Sequence, residues 1–287
     1  MIDLHVHSNC SDGTLTPREI VKLAIDTGLS AFALTDHDTT VGVKEAKAAA
    51  GELASETGAV QVISGTEISA AYKERDIHIL GLFISEEDPT LCRELDLALA
   101  GRDRRNEKMV QRFCDLGIPM TIEDLRFENP DTVITRAHFA KYLMDKHIVR
   151  TRDEAFQKYL GYDAPCFVPR TYMEPEHAIR LILGAGGIPV LAHPLLYNLS
   201  KEELNQLLRR LTDAGLKGIE VFYSSFCACE QDIVRGLANH FGLLMTGGTD
   251  FHGSNKPNLM LGTGRNNNLN IPDSVLEPLV AFLNKNK

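Results

Sequence analysis

Along the chain, short runs of aliphatic and β-branched residues alternate with longer stretches whose apolar positions recur every three or four residues. The short runs predict strands over 2–6, 31–35, 60–66, 76–84, 188–193, 218–222 and 242–247. The longer stretches predict helices over 17–27, 41–57, 88–100, 174–185, 200–214, 230–240 and 273–284. Punctuation agrees at the first of these, with Pro17 in the opening turn and Gly28 just past the end. Seven strands with helices between most of them predict an α/β fold, a distorted (β/α)7 barrel one unit short of the usual eight.

Two segments break the alternation. Between Glu67 and His78 the chain has no room for a crossover helix, which needs about a dozen residues. The stretch EISAAYKERDIH reads instead as a hairpin turning at Tyr72 and Lys73, with Glu67 opposite His78 and the fourth strand antiparallel to its neighbours. Residues 101–171 show helical spacing and no strand pattern, and predict an all-α insertion. The barrel domain then comprises 1–100 and 172–287. If strand four descends and the next helix climbs back, the insertion emerges on the face where barrel enzymes carry their active sites, as a lid.

Bulk composition narrows the partners. The 287 residues are 44% hydrophobic, enough for a sizeable core, yet no apolar run reaches the roughly 18 residues of a membrane span. A usable strand begins at Ile2, which leaves no leader peptide, so a cytoplasmic, monomeric chain with no membrane contact is expected. A formal charge of −9 argues against a broad surface for long nucleic acid. Residues 101–170 nevertheless carry a net +2 while the remainder carries −11, the sign an anion-binding lid needs. The six cysteines, at 10, 92, 114, 166, 227 and 229, lack paired zinc-type spacing and are expected reduced.

Histidines and carboxylates gather where the predicted strands end. His5 and His7 are two apart on the first strand and so share a face, with Asp12 just beyond. Asp36 and His37 follow the second strand, Glu67 the third, His193 the fifth, and Asp250 with His252 the seventh. Each has an ordinary reading alone: His37 in a turn, Asp38 as a helix cap, His78 as a hydrogen-bonded core residue. Together, six histidines and three carboxylates at one rim form the donor set of zinc, manganese or iron. The other four histidines, His138, His147, His177 and His240, fall on predicted helices.

The motifs DLHVHS with SDGT, TDHDT, GTEIS, the later His78, LAHP and GGTDFHG resemble those of the PHP (polymerase and histidinol phosphatase) superfamily, in order and over both halves of the chain. TRAHFA, EAFQKYLG and AGGIPVLAHP are similar to the stand-alone members that act on nucleoside monophosphates, 3′,5′-bisphosphates and short RNA ends. The resemblance implies the PHP barrel fold and three divalent ions, manganese first, with iron, zinc or magnesium as the others. It implies one ion on His5, His7, Glu67 and Asp250, a second on Glu67, His78 and His193, and a third on Asp12, His37 and His252. Asp36, next to His37, would then be an orienter outside the ligand set rather than a ligand.

Such a site suits a phosphate ester. Three divalent ions against three carboxylates leave a net charge near +3, which a phosphate dianion and one hydroxide would neutralise. The expected nucleophile is a hydroxide bridging the metals, with Glu67, Asp250 and His193 as the catalytic set. No GxSxG or comparable nucleophile motif is present. Arg136 and His138 are candidates to hold the substrate phosphate, with Arg102 and Arg105 behind them. A solvated helix face fits the same arginines. The expected reaction is hydrolysis of phosphate esters of small nucleotides: AMP, a 3′,5′-nucleoside bisphosphate or a short RNA 5′ end. A histidinol-phosphate phosphatase and an amidohydrolase-like metal hydrolase are the alternatives. The latter would call for a carboxylated lysine on a middle strand, where none occurs.

Overall fold

A computed structural model of the chain describes residues 1–54, 59–73, 75–127, 132–169 and 173–285. Its strands are β1 (Ile2–Val6), β2 (Ala31–Leu34), β3 (Gln61–Tyr72), β4 (Arg75–Leu82), β5 (Ile188–Leu191), β6 (Gly218–Tyr223) and β7 (Leu244–Gly248). They pair in sequence order as one seven-stranded sheet. Backbone bonds from Asp250 N–H to His5 C=O (2.9 Å) and from His7 N–H to Phe251 C=O (2.9 Å) bring the end of β7 onto β1 and nearly close the barrel. Helices α1 (Pro17–Asp26) and α2 (Val41–Leu53) pack outside the first half; α7 (Pro175–Gly184), α8 (Lys201–Asp213), α9 (Ala228–Phe241) and α10 (Leu276–Lys285) serve the second. The final residues of the helix expected over 41–57 lie outside the described residues, as does the expected boundary at 171 and 172.

β4 runs antiparallel to both β3 and β5, as the missing crossover required. Its register corrects the expectation. Tyr72 pairs with Arg75, so Glu67 lies opposite Leu80 and His78 opposite Ser69. The turn falls one residue later than expected, with Lys73 at φ 47°. A one-residue shift of the turn moves cross-strand partners by two, which preserves the face: Glu67 and His78 remain diagonal neighbours on the same side.

A bulge in β1, between Asp3 and Val6, does something periodicity alone does not foresee. Ile2 and Leu4 pack into the interior cluster with Ala33, Leu80 and Val190, whereas Val6 packs into the outer cluster with Ile20 and Phe32. The bulge switches the alternation, so His5 and His7 face inward above an apolar floor. A second irregularity lies between Glu220 and Phe222 in β6.

The insertion is built on α3 (Pro89–Asp115), a single 27-residue helix where one ending at residue 100 was expected. Asp88 caps it through the amides of Thr90 and Leu91. Gly101 costs only about 1 kcal/mol in a helix interior. The residues after it bury Arg102, Arg105, Asn106, Met109 and Phe113 on one face, so packing carries the helix through the glycine. With α4 (Ile122–Arg126), α5 (Arg136–Asp145), α6 (Arg152–Ala155) and a π-helical turn at Phe156–Leu160, α3 encloses a separate core of Met109, Phe113, Leu125, Phe139 and Leu143. Phe113 is fully buried and stacks on Phe139 with ring centroids 5.9 Å apart. Truncating it to alanine costs about 3–5 kcal/mol.

Candidate metal centre

The nine side chains expected at one rim are all brought together there. Their donor atoms form four overlapping groups, each within 4.8 Å: His7, Asp12, His37 and His252; His5, His7 and Glu67; His5, His193 and Asp250; His37, Glu67 and His78. Glu67 is central and almost wholly buried. Its Oε1 lies 2.8 Å from His78 Nδ1 and 3.1 Å from His193 Nε2. Its Oε2 lies 3.4 Å from His5 Nε2, 3.2 Å from His7 Nε2 and 3.1 Å from His37 Nδ1. The two oxygens of one carboxylate therefore serve two sets of imidazoles.

The spacing fits a cation. His5 Nε2 and His7 Nε2 point at one another across 3.1 Å, and Asp250 Oδ1 lies 3.6 Å from the first and 3.4 Å from the second. Two donors held about 2.1 Å from one ion at a tetrahedral angle lie about 3.4 Å apart. His252 Nε2 lies 3.0 Å from Asp12 Oδ1 and His37 Nε2 lies 3.7 Å from it. Asp12 Oδ1 and the Nδ1 atoms of His37 and His193 are buried without a hydrogen bond, a cost that a bound ion relieves at the first of them.

Electrostatics within the cluster follow from burial and proximity. Burial pushes His37 down to about 3 and His252 to about 4, so both are neutral, the form that donates a lone pair. Burial opposes the charged form of Glu67, but the facing imidazoles of His78 and His5 and the hydrogen bond with His193 outweigh it and hold the carboxyl well below its usual range. For His5 burial again opposes the charge, and the carboxylates of Glu220, Glu67 and Asp250 overcome it.

A second layer fixes these side chains. Glu220, fully buried on β6, holds His5 Nδ1 at 3.0 Å through Oε1 and accepts the His193 amide at 2.7 Å through Oε2. Sequence reading missed it; the signal was one carboxylate inside the apolar run GIEVFY. Tyr223 donates to Asp250 at 2.6 Å, and Lys256 pairs with the same carboxylate oxygen. Asp3, raised by burial to about 6, accepts from the amides of Thr249 and Gly262 at 2.9 Å each and so fastens the β7 loop to β1. Gly248 is obligatory there, since an added Cβ would lie 2.3 Å from the His5 Cβ. His193 and Asp250 themselves have positive φ, 25° and 57°, a strained backbone that only a rigid surround sustains.

One expectation gains its partner here and another changes. Asp36 does not touch His37; it accepts from the Ser8 amide (2.8 Å) and the Ser8 and Ser11 hydroxyls (2.6 Å each), and Ser11 Oγ is 3.4 Å from His7 Nδ1. It orients His7 through the loop. Asp38 does not cap α2, whose N-cap is Thr40. It is buried at φ 53°, accepts from the Ser69 amide (2.8 Å) and pairs with Arg102.

Beside the cluster lies a cavity of about 130 Å³ walled by His37 and His78 on the barrel side and by Arg102, Arg105, Arg136 and Arg152 from the insertion. Three of these arginines were candidates from sequence; Arg152 was not, because nothing in TRDEAF separates it from a solvated helix start. Arg136 reaches the cavity paired with Asp76 and flanked by the ring of Phe156, 5.6 Å away. His138 is placed elsewhere: its Nδ1 accepts the Thr135 amide at 3.0 Å, closing the cap of α5, and it borders a different cavity. One of its two ring nitrogens is thus taken up in starting its own helix.

A nearly closed barrel with one antiparallel hairpin in its wall and a nine-residue histidine and carboxylate cluster on one rim defines a family. The PHP domain model matches residues 3–224, and this chain belongs to that family. It is 35% identical over 253 residues to a 3′,5′-nucleoside bisphosphate phosphatase of Chromobacterium violaceum (88% of this chain, 87% of the relative). It is 34% identical over 250 residues to a 5′-3′ exoribonuclease of Haemophilus influenzae (87% and 89%). Among solved structures it is similar to a protein of Chromobacterium violaceum described as an amidohydrolase with bound sulfate and no metal (TM-score 0.87, 32% identity, 99% and 96% coverage). It is also similar to a putative metal-dependent phosphoesterase of Bifidobacterium adolescentis (TM-score 0.83, 30% identity, 98% and 95% coverage).

Proposed function

We propose that the chain is a metal-dependent phosphoesterase that hydrolyses phosphate esters of small nucleotides: AMP, a 3′,5′-nucleoside bisphosphate or the 5′ end of a short RNA. The observation that carries this reading is the abutment of the nine-residue cluster on a cavity walled by four arginines. A cation cluster and a guanidinium wall together match a phosphate dianion; a neutral amide would leave the arginines unused. The relatives named above act on nucleotide or RNA phosphates by their names. No lysine stands on β3, β4, β5 or β6, which weighs against the amidohydrolase alternative.

Three divalent ions, manganese first, would be held by His5, His7, Glu67 and Asp250; by Glu67, His78 and His193; and by Asp12, His37 and His252. Bound there, they supply Lewis acidity and lower the pKa of coordinated water towards ~7. The chain's own part is to hold them and orient the ester. Glu67 offers one oxygen to each side of the cluster, Asp250 is fixed by Tyr223 and Lys256, and Glu220 sets the His5 ring and the backbone before His193. Arg136, Arg102, Arg105 and Arg152 would present donors to phosphate oxygens, while the helices that carry them shield that side of the cluster from bulk water. The enzyme works as a cytoplasmic monomer in this reading; among the described residues no helix is long and apolar enough to cross a membrane.

The test is phosphate release from AMP, a 3′,5′-bisphosphate, a short 5′-phosphorylated RNA and histidinol phosphate, with manganese added, alongside elemental analysis of protein purified without chelator. Nucleotide preference and about three ions per chain are expected. Preference for histidinol phosphate, or near-zero metal after manganese loading, would sink it.

A further inference from the structure

Phe127 terminates α4 with φ 50° and ψ −120°, a region that glycine occupies freely and an aromatic residue only at a cost in free energy. Its ring is not buried in compensation: it is 39% exposed, in an insertion whose other phenylalanines mostly pack inward. The ring lies 6.0 Å from that of His138 at an interplanar angle of 26°, and Lys141 Nζ stands 4.4 Å from its centroid.

This ring borders a cavity of about 560 Å³ that also includes Asn9, Gly13, Thr14, His138 and Asn255. That is the range of sites for small organic ligands. The cavity opens beside the cluster: Gly13 and Thr14 directly follow Asp12, and Asn255, three residues past His252, donates to the Asp12 carbonyl at 2.8 Å. The arginine-walled cavity meets the cluster from the side of His37 and His78. Asp12 borders the arginine side and its two following residues border the other, so a phosphate over the cluster leaves the remainder of its substrate facing Phe127.

We propose that Phe127 is the nucleobase-stacking residue of this enzyme, with His138 backing its ring and the cavity between the β1 loop, the β7 loop and the insertion receiving the base. The proposal rests on the nucleotide phosphoesterase reading above and assigns that site its base-recognition surface. Stacking on an aromatic side chain suits any base, since every base has a π face, and is lost with the ring. A strained aromatic maintained at a cavity mouth is accounted for by that use.

The chain contains no tryptophan, so Phe127→Trp places a single indole at the site. AMP is expected to quench its fluorescence, and ribose 5-phosphate, with the same phosphate and sugar but no base, is expected to leave it unaltered. As a second variant, Phe127→Leu keeps apolar bulk and removes the π face. The ratio of kcat/KM on AMP to that on ribose 5-phosphate should fall about five- to a hundred-fold in this variant. Equal response of the indole to the two phosphates, no response to AMP, or a Phe127→Leu ratio within two-fold of wild type would overturn the assignment. Failure of the parent reading shows separately, as absence of phosphate release from AMP by the wild-type enzyme loaded with manganese.

Discussion

The barrel rim and the helical insertion both present polar side chains to the same space, yet they are built on opposite plans. Rim residues are held from behind: Glu220 fixes His5, Ser11 and Asp36 fix His7, Tyr223 and Lys256 fix Asp250. The insertion's arginines are held from in front, by carboxylates of the barrel itself, Arg102 by Asp38 and Arg136 by Asp76. The first plan leaves donor atoms converging on one another and in want of a cation. The second ties the insertion down with the side chains proposed above to hold phosphate, so in that reading an incoming phosphate would compete with Asp76 for Arg136. Rigidity at the rim and exchangeable pairing at the insertion are two answers to preorganisation, and each predicts its own sensitivity to mutation.

Glu67→Gln should have the largest effect. One carboxylate serves two groups of imidazoles, and the amide cannot match its charge on either. A loss of kcat/KM of a hundred-fold or more is expected, with an unfolding midpoint close to wild type. Retention of more than about a tenth of the activity, a loss under ~1.4 kcal/mol, would remove Glu67 from the centre of the site. Next comes Glu220→Gln, which keeps the shape but weakens the support of His5 and His193. Metal affinity should drop about ten- to a hundred-fold, read by competition with a chromophoric chelator, and excess manganese should restore activity. If the rim tolerates this change, its rigidity is not what organises the donors.

On the insertion side the effects should be smaller. Arg136→Ala removes a charge-assisted contact worth ~1.5–3 kcal/mol, but the contact already shared with Asp76 puts the loss in kcat/KM nearer ten-fold than a hundred-fold. Metal content should not move, which separates this variant from both rim variants. Smallest is Asp76→Asn, which frees Arg136 for substrate: KM for a nucleotide should fall two- to three-fold at unchanged metal content. A rise in KM instead would mean that Asp76 positions the arginine rather than competing for it.

The two regions were also unequally legible in the sequence. The rim candidates could be picked out because most of them sit within or just past an apolar run, and the end of a strand fixes where such a residue points; Asp12, in the polar stretch SNCSDGT, stood out only by following His5 and His7. What supports them was harder to see. Glu220 sits inside a strand and is distinguishable from an exposed edge residue only once its burial is known. The hairpin register was misplaced by two because turn position depends on backbone at Lys73, not on the hydrophobic pattern, which is unchanged by a two-residue slip. In the insertion, helical spacing gave the all-α character but not the partners. Asp38 looked like a cap because aspartate before a helix usually is one; here a buried arginine 64 residues away claims it. The cap role of His138 was equally hidden, since it depends on a local backbone turn that composition does not announce.

One feature of the insertion bears on traffic through the site. α3 passes without interruption from the barrel wall into the insertion, a rod of 27 residues and so about 40 Å long. A cover joined through such a strut cannot swing like a door, because the bend would have to break the helix between Leu95 and Met109, both of which are anchored in opposing cores. It is a braced roof beside the rim, joined to the barrel by a strut rather than a hinge. In the reading proposed above, substrate would thread in sideways past this strut, so the fold itself would act as a molecular ruler that favours short chains over long or folded polymers.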